Sequence, residues 1–547
     1  MDNIETEIYD LEGRHIKELD DDDIEESTIS PGFILYQKNK HLWIDLKHHQ
    51  YPYILSIRYE MHFESIFFWP SWRPQPTIPV QYSQYKLIQD DPLPFHYHTI
   101  SDTITPERSV EDGDSVYVWA RHNIPAKEKE DFIPPENRLQ QAVIFAPGKF
   151  ELGDSHGNFA DWDAFGAWYR QLTWEKYHLP QALKNKIHQL IRQEDNPYGV
   201  ASALYRFLQQ NTRYVAIYLD IGGWEPHDAG TVYRNRYGDC KDLTTLMIAM
   251  LRYADIQAYP ALVQTRDQGV VYPDFVANQF NHVIAFVPLP EDTLWLECTA
   301  DFIDITDMPA SIEDANVLVV KNRSDEIIRT PQAPMDANTW SSHSTLKYKA
   351  PGSLSIASRI TCKGKQKHGF KSLFARVTPT NEKILLQKIF GKYLPNFTLA
   401  DYDYREEGQP NQRYVIEIDG LYKNAVTHTV KRIFINPNIL NRKTMDHFPD
   451  DENRQFAVHI DYPYRAIDTL DIALPYGYTL ESAPEPLSLD FSFAHYKTSY
   501  SFEDRKLHCI RDFAYKKNHI EQDHYRTLQK FLRKVIKNDD TYFIFKQ

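Results

Sequence analysis

The stretch NRYGDCKDLTTLMIAMLRYADIQAYPALV, residues 235–263, decides the fold of the central part of the chain. Apolar residues recur along it at the spacing of one helix face, which predicts a helix packed on a core: Leu243, Leu246, Met247, Met250 and Leu251. Cys240 follows a Gly-Asp pair and begins this helix. Unpaired backbone N–H groups and the positive end of the helix dipole favour the thiolate form of a first-turn cysteine. The stretch therefore predicts a nucleophilic sulfur.

A histidine and an acid follow in two apolar runs. His282 lies at the start of NHVIAFVPLP, and Glu297 lies in LWLECT, after the turn PLPED. The runs, Asn281 to Val287 and Thr293 to Cys298, predict a β-hairpin. A hairpin packed on the Cys240 helix would bring imidazole to thiol and carboxylate to imidazole. Nucleophilic cysteine chemistry needs this arrangement, because a base must take the thiol proton and an acid must orient that base.

The three residues resemble the catalytic core of the transglutaminase-like superfamily, relatives of papain-type cysteine peptidases. The motifs are GDCKD around Cys240, FNHV around His282 and WLECT around Glu297, and the resemblance covers residues 161–314. It implies a chain order of Cys, His and Asp, with the cysteine beginning a helix and the other two on successive strands. Here Glu297 stands where the family has Asp in an LDPT-like string. Asp301 is the alternative acid, but the offset of Glu297 from His282 fits the pattern better.

Each of these residues also has a structural interpretation. A single cysteine after Gly-Asp is often a small buried apolar residue, and a single strand histidine is usually structural. Their joint order and context favour a catalytic site over both interpretations. Cys298 follows Glu297, so its side chain is predicted to point to the other sheet face and into the core. Trp224 in IGGWEPH is a cleft-wall or oxyanion alternative, although a core position is more typical; the backbone N–H of Cys240 is the expected oxyanion donor.

Composition restricts the function classes. The 547 residues are 42% hydrophobic, enough for several cores, and carry a formal charge of −15. That charge argues against nucleic acid as a partner, because phosphate binding needs a basic face. The four cysteines (Cys240, Cys298, Cys362 and Cys509) form no metal-ligand spacing, so neither a metal nor another cofactor is expected. No apolar run has transmembrane length.

The pattern along the chain predicts three domains and an α+β fold class. A papain-like, transglutaminase-like core at 156–325 is placed between two predominantly β, sandwich-like domains at 1–155 and 330–547, the second ending in a helix. Leu55 to Phe63 and Gln455 to Tyr462 alternate apolar and polar residues, which predicts half-buried strands. The core is expected to contain three helices before the Cys240 helix, with Pro180 and Pro197 at helix starts.

The N-terminal region resembles a β-rich domain of unknown function that precedes such cores in many bacterial proteins. The matching segments are SIRYE, IPVQYSQY, NIPA and DWDAFGAWY. The resemblance implies that the first strands and an export signal of that domain are missing here. It also implies a periplasmic or cell-envelope location. The C-terminal region is similar to the domain often paired with the same core.

Two functions from different classes remain open at this point. The first is a cysteine acyl-transfer enzyme that acts on amide or peptide carbonyls through a thioester, either as a peptidase or amidase or as a transglutaminase-type transferase. A protein or peptide substrate is expected for it. The second is a non-catalytic binding or scaffold protein of the cell envelope that retains the core as a recognition surface. The sequence leaves the acceptor and the oligomeric state undecided.

Overall fold

The structure is a computed structural model that describes residues 2–19, 24–27, 34–37, 41–45, 47–74, 78–126, 130–135, 141–218, 223–321, 325–350, 352–375, 377–408, 413–444 and 454–547. Its architecture is α+β, with a helix-rich core between two β-rich regions, which confirms the predicted fold class. Among the described residues, no helix combines the length and the apolar character that crossing a bilayer requires.

The N-terminal region consists of small antiparallel sheets, except that its fourth strand pairs in parallel with residues Ala216–Tyr218 of the core. Its strands are β1 (Asp2–Tyr9), β2 (His15–Glu18), β3 (Ile24–Ser27), β4 (Ile34–Gln37), β5 (His41–Ile44), β6 (Ile54–Glu60), β7 (Val80–Gln89), β8 (Phe95–Ile100), β9 (Glu107–Glu111), β10 (Asp114–Ile124), β11 (Ala142–Pro147), β12 (Lys149–Leu152) and β13 (Ser155–Asn158). Sheets β7-β10-β9 and β11-β8 share an aromatic core around Trp119 and Phe145. This packing gives the region a hydrophobic centre of its own.

The strand predicted from Leu55 to Phe63 forms, but its predicted burial was wrong. β6 spans Ile54–Glu60 at the edge of the sheet β2-β1-β6, and all seven of its residues are exposed. On the neighbouring β1, Thr6 and Ile8 are buried. Apolar alternation is sufficient to form a strand, whereas burial also needs a second layer over that face.

The core begins with helices whose starts follow from the sequence. The elements are α1 (Trp162–Thr173), α2 (Gln181–Ile191), α3 (Pro197–Asn211), β14 (Arg213–Tyr214), β15 (Ala216–Tyr218), α4 (Ala229–Asn235), β16 (Tyr237–Gly238), α5 (Cys240–Tyr253), β17 (Tyr259–Val263), β18 (His282–Pro288), β19 (Thr293–Leu296), β20 (Asn316–Val319) and β21 (Glu326–Arg329). Asp161 and Asn196 accept hydrogen bonds from the first turns of α1 and α3. Pro180 is the N-cap of α2, and Pro197 is the first residue of α3.

A five-stranded antiparallel sheet, in the order β19-β18-β17-β20-β21, carries the hairpin predicted from the sequence. In that hairpin β18 pairs with β19 from Ala285 with Leu296 to Pro288 with Thr293. Helix α5 lies against β18, with α3 and α4 packed on its other sides. Every residue from Lys241 to Leu251 is consequently buried, so α5 is a central helix rather than one with a single buried face.

The C-terminal region combines large sheets with helices. Its elements are β22 (Thr339–Ala350), β23 (Ser353–Cys362), α6 (Lys365–Phe374), α7 (Pro379–Gly391), β24 (Phe397–Glu407), β25 (Arg413–Tyr422), β26 (Thr427–His428), β27 (Arg432–Ile435), β28 (Val458–His459), β29 (Tyr464–Ala473), β30 (Thr479–Ser482), β31 (Ser488–Asp490), β32 (Ala494–Glu503), β33 (Lys506–Tyr515), β34 (His519–Ile520), α8 (Tyr525–Asp539) and β35 (Phe543–Lys546). The main sheet has the order β24-β25-β23-β22-β29-β33-β32-β31. The terminal helix α8 was predicted, whereas α6 and α7 were not.

The strand predicted from Gln455 to Tyr462 was wrong for most of its length. Only β28 (Val458–His459) is extended in a pair, and it pairs with the short β34. The segment instead contacts the N-terminal region. The Arg454 guanidinium donates to the carbonyl oxygens of Asp131 (2.8 Å) and Phe132 (3.0 Å), and the His459 amide donates to Phe132 (2.7 Å). Hydrogen bonds to the N-terminal region thus replace most of the strand pairing that the sequence pattern predicted for this segment.

Candidate active site

Cys240 is the first residue of α5, and the sequence before it builds the helix start. Asp239 is the N-cap: its carboxylate accepts from the Asp242 amide at 3.2 Å, and the Asp242 carboxylate accepts from the Asp239 amide at 3.2 Å. Such a reciprocal cap stabilises the first turn by about 1 kcal/mol. Cys240 is partly exposed. The residue is therefore held at a fixed helix terminus, at a partly exposed position.

The other charges of GDCKD have structural partners. Lys241 is buried and pairs with the Asp239 carboxylate. Asp242 also accepts from the backbone N–H of His227 at 2.8 Å and lies 3.2 Å from the His227 Nδ1. These bonds fix the loop before α4 to the turn that holds Cys240. The acidic pair around Cys240 was not interpreted as a cap from the sequence, although the Asp-x-x-Asp spacing is the signal for one.

His282 is the first residue of β18, next to the helix that carries Cys240. The Thr244 hydroxyl of α5 donates to the Val283 carbonyl at 3.1 Å, so helix and strand are joined beside the site. The His282 Nε2 lies 2.8 Å from the Glu297 Oε2, and the Cys240 side chain is near enough to the ring for a hydrogen bond between them to raise the pKa of His282. The imidazole thus lies between a thiol and a carboxylate.

Glu297 follows β19 directly and is held at both ends. Its Oε1 accepts from the Thr299 amide (2.8 Å) and hydroxyl (2.6 Å), which leaves Oε2 for His282. The Tyr205 hydroxyl of α3 donates to the Glu297 carbonyl at 2.6 Å. Asp301, the alternative acid, lies exposed in the next turn. The carboxylate in contact with His282 is therefore Glu297.

The electrostatics of the pair favour opposite charges. Burial by itself would lower the pKa of His282, but the Glu297 carboxylate and the hydrogen bonds with Cys240 and Glu297 hold that pKa well above its usual value. Burial would likewise raise the pKa of Glu297, but His282 and the bonds from Thr299 lower it. The two shifts therefore support an imidazolium next to a carboxylate at the end of α5 that carries Cys240.

Two further residues considered in the sequence lie in the core. Cys298 is buried, its thiol contacts the Leu296 carbonyl (3.6 Å), and burial raises the pKa of that thiol. Trp224 is 9% exposed and packs among aromatic rings, with ring centroids 5.1 Å from Phe67 and 5.5 Å from Trp168. Both are structural neighbours of the site, as the core interpretation predicted.

Helix α6 of the C-terminal region lies over the acidic segment that follows Glu297. Lys365 pairs with Glu313, and Lys367 pairs with Asp304 and lies 3.1 Å from Asp307. The His368 Nε2 lies 3.1 Å from Asp307. Sequence reasoning missed this contact because the basic and acidic segments are distant in the chain and α6 was not predicted. Among the described residues, no cluster of three or more His, Cys, Asp or Glu could hold a metal ion.

The comparisons with known proteins agree with this architecture. Residues 184–300 match the transglutaminase-like superfamily. Residues 1–128 match the domain of unknown function DUF3857, and residues 431–545 match DUF3858. The protein is therefore built of a transglutaminase-like core flanked by a DUF3857 and a DUF3858 domain, which confirms the predicted family resemblance. Among curated proteins, none matches the sequence.

Two solved structures are similar to the chain. The first is the crystal structure of a candidate protease from Parabacteroides distasonis, with 12% identity and a TM-score of 0.61 over 100% of this chain and 89% of that chain. At this identity the likeness describes the fold. The second is the periplasmic domain of TgpA from Pseudomonas aeruginosa, with 14% identity over 42% of this chain and 76% of that chain. Its TM-score of 0.18 is too low to support a structural argument.

Proposed function

We propose that the protein is a cysteine-dependent acyl-transfer enzyme that acts on amide or peptide carbonyls. The observation that carries the proposal is the position of His282 between the Cys240 thiol and the Glu297 carboxylate. The cysteine-peptidase relatives of the core, and the candidate protease that shares the fold, support the same chemistry. Cys240, His282 and Glu297 are the proposed catalytic residues.

In the first step the Cys240 sulfur attacks the carbonyl carbon. A carbon–sulfur bond forms, the carbon–nitrogen bond breaks, and the amine leaves with a proton from His282. The product is a thioester on Cys240. Glu297 keeps the imidazole in position and stabilises its charged form. The Cys240 backbone N–H, at the first position of the helix, is the proposed donor to the carbonyl oxygen as negative charge develops there.

In the second step an acceptor attacks the thioester and releases the cysteine. His282 takes a proton from the acceptor, the carbon–sulfur bond breaks, and the thiolate re-forms beside the imidazolium. Water as the acceptor gives a peptidase or amidase, and an amine gives a transglutaminase-type transferase. Both routes use the same three residues. Incubation of the thioester with a labelled amine separates them, because only the transferase incorporates the label in preference to hydrolysis.

Alkylation kinetics test the proposal within one molecule. Native protein is treated with iodoacetamide at pH 6, and peptide mass spectrometry follows each cysteine. We expect Cys240 to react at least about 100-fold faster than free cysteine. The buried Cys298, Cys362 and Cys509 serve as internal controls and are expected to stay unmodified. A Cys240 that reacts no faster than free cysteine would rule out an activated nucleophile.

Turnover separates an enzyme from a scaffold. Wild-type protein and Cys240→Ala are compared on a mixture of protein and peptide substrates, with cleavage and cross-linking read by mass spectrometry. We expect new products only with the wild type. If the two proteins yield the same products while Cys240 is still hyper-reactive, the core is a non-catalytic recognition surface.

A cell-envelope location is a second part of the proposal. It rests on the resemblance of the flanking domains to those of bacterial envelope proteins. Fractionation of the native host tests it: recovery with a periplasmic marker supports the location, and recovery with a cytoplasmic marker contradicts it.

A further inference from the structure

A cavity of about 530 Å³ lies beside His282 and Glu297, between the core and the C-terminal region. Pockets of roughly 300–1,000 Å³ hold ligands the size of a short peptide segment. The core contributes polar side chains such as Asn281 and Thr299 to its wall, and the C-terminal region contributes α6 together with Tyr462. The cavity therefore exists only where both regions meet.

Helix α6 forms the far wall of the cavity. The α6 residues that line it recur at helical spacing and so share one face of the helix: Lys365, His368, Gly369 and Ser372. Lys365 is paired with Glu313, and the His368 Nε2 lies 3.1 Å from Asp307. These contacts fix the wall to the core and engage the Lys365 ammonium and the His368 imidazole. The rest of the lining offers hydroxyl and amide groups, aromatic rings and the carboxylate of Asp267, which can contact the backbone and side chains of a peptide segment.

Gly369 lies in the middle of α6, where glycine weakens a helix relative to alanine. Packing does not require glycine there, because a Cβ added at Gly369 meets no heavy atom within 4 Å. Its backbone is not in the left-handed region either, since Gly369 is not among the residues of positive φ. What the missing side chain does provide is open space in the cavity.

We propose that this cavity binds the part of a peptide substrate on the amine side of the scissile bond, and that Gly369 keeps it open. The inference rests on the proposed acyl-transfer function. The structure describes all three proposed catalytic residues. Of these, His282 and Glu297 line the cavity, whereas Cys240 does not. The acyl part of the substrate becomes bound to sulfur, whereas the amine receives its proton from the imidazole. A cavity on the imidazole side therefore meets the amine part.

A pair of chloroacetyl reagents tests the proposal. Cys240 sulfur displaces chloride from either reagent to form a thioether. Chloroacetamide is small, whereas chloroacetyl-Ala-Phe-amide extends a neutral peptide toward the amine side. We expect the peptide reagent to react with wild-type Cys240 at least about tenfold faster than chloroacetamide. In Gly369→Trp the ratio of the two rates should fall by at least about tenfold, because the indole fills the cavity.

Gly391→Trp is the matched control. Gly391 is also an α-helical glycine of the C-terminal region whose added Cβ meets no heavy atom within 4 Å, and it is not among the described residues that line the cavity. The rate ratio should stay at the wild-type value in this variant. Gly369→Leu replaces Gly369→Trp if thermal unfolding shows that the tryptophan variant does not fold.

The outcomes separate the two proposals. An unchanged ratio in folded Gly369→Trp and Gly369→Leu overturns the cavity proposal and leaves the function intact. An equal loss in Gly391→Trp also overturns it, because the effect is then not local. If His282→Ala reacts with chloroacetamide as fast as the wild type, the proposed function itself fails, whatever the ratio.

Discussion

Two pairings of a basic side chain with carboxylates lie near the site, at different positions in the molecule. Glu297 and His282 lie within the core, at adjacent ends of two paired strands. Lys367 of α6 and its partners Asp304 and Asp307 lie on opposite sides of a boundary between two regions. The first pair orients a group that is proposed to react, and the second holds a wall beside it. The comparison shows that the role of such a pairing depends on whether its two partners lie within one region or connect two regions.

The pKa shifts of Asp307 and Lys367 show which charges the pairing at the boundary carries. Burial would raise the pKa of Asp307, but the His368 hydrogen bond and the Lys367 charge lower it to about 2. Burial also lowers the pKa of Lys367, and the charges of Asp307 and Asp304 raise it above its usual value. Both partners therefore stay charged across the physiological pH range. Removal of His282 leaves the Glu297 charge without its partner cation, whereas removal of Lys367 leaves Asp307 with His368 at 3.1 Å and Asp304 with Lys371 at 3.7 Å.

The largest expected effect comes from removal of the imidazole. In His282→Ala we expect the reaction of Cys240 with iodoacetamide at pH 6 to slow by at least about 100-fold, because the charged partner and the base are lost together. His188→Ala is the control, since His188 lies on α2 of the same transglutaminase-like region. Its Nε2 contacts the Tyr253 hydroxyl at 2.9 Å. A decrease below tenfold in His282→Ala would contradict the role assigned to this histidine.

Removal of the Lys367 ammonium, at the boundary between the core and the C-terminal region, should lower the free energy of unfolding. Lys367 is 1% exposed, so Lys367→Met keeps the volume and leaves Asp304 and Asp307 without their buried partner. We expect the free energy of unfolding to fall by about 3 kcal/mol, as measured by denaturant titration. Lys534→Met, at an exposed position of α8, should change it by less than about 0.5 kcal/mol. Equal values for the two variants would show that the pair does not stabilise the boundary.

The core pair has a pH signature. The raised pKa of His282 makes its contribution complete below the usual value of 6.5, and this contribution is lost as pH rises through the folded pKa. The lowered pKa of Glu297 makes its contribution complete above the usual value of 4.5, and this contribution is lost as pH falls through the folded pKa. The two contributions are therefore complete together only between these two values.

Substitution of Glu297 tests the pH range, between 4.5 and 6.5, in which both contributions are complete. Glu297→Gln should reduce the free energy of unfolding by about 2 kcal/mol at pH 5.5 and by less at pH 10, because the contribution of His282 is lost as pH rises through its folded pKa. Urea titrations at the two pH values measure the difference. Asp301→Asn removes the exposed neighbouring acid and should have little effect at either pH. A pH-independent loss in Glu297→Gln would mean that the pair is not ionised in the folded protein.

The smallest expected effect concerns the residue that holds the acid. Thr299→Val removes the hydroxyl that donates to the Glu297 Oε1 at 2.6 Å, and leaves the backbone donor in place. One lost hydrogen bond costs about 1 kcal/mol. We expect alkylation of Cys240 at pH 6 to slow by about threefold to fivefold, and Thr299→Ser to restore the rate. Failure of the serine variant to restore it would mean that packing, rather than the bond, orients Glu297.

The sequence predicts the elements that carry the site because their signals are local. A helix start marks the position of Cys240, and two apolar runs around a turn predict the hairpin that brings His282 and Glu297 together. Their order along the chain is sufficient to place them in one domain. Their catalytic role stays a prediction, as do the three domain boundaries.

The remaining features depend on contacts between distant segments. The alternation of β6 predicts a strand, but whether that strand is covered depends on other elements. Alternation also predicted a strand from Gln455 to Tyr462, where bonds to the N-terminal region keep most of the segment out of a ladder. Helix α6 was missed in a region of β pattern, and with it the pairs that Lys365 and Lys367 make with the core.

The position of α6 has an evolutionary consequence. The three groups proposed to break and form bonds stand on the core, whereas one wall of the adjoining cavity belongs to a different region of the chain. Under the proposed function, substitutions on the side of that one helix that lines the cavity would change which peptides are accepted without disturbing the reactive groups. A family with this arrangement would diversify its substrates by altering a partner domain and preserving its chemistry.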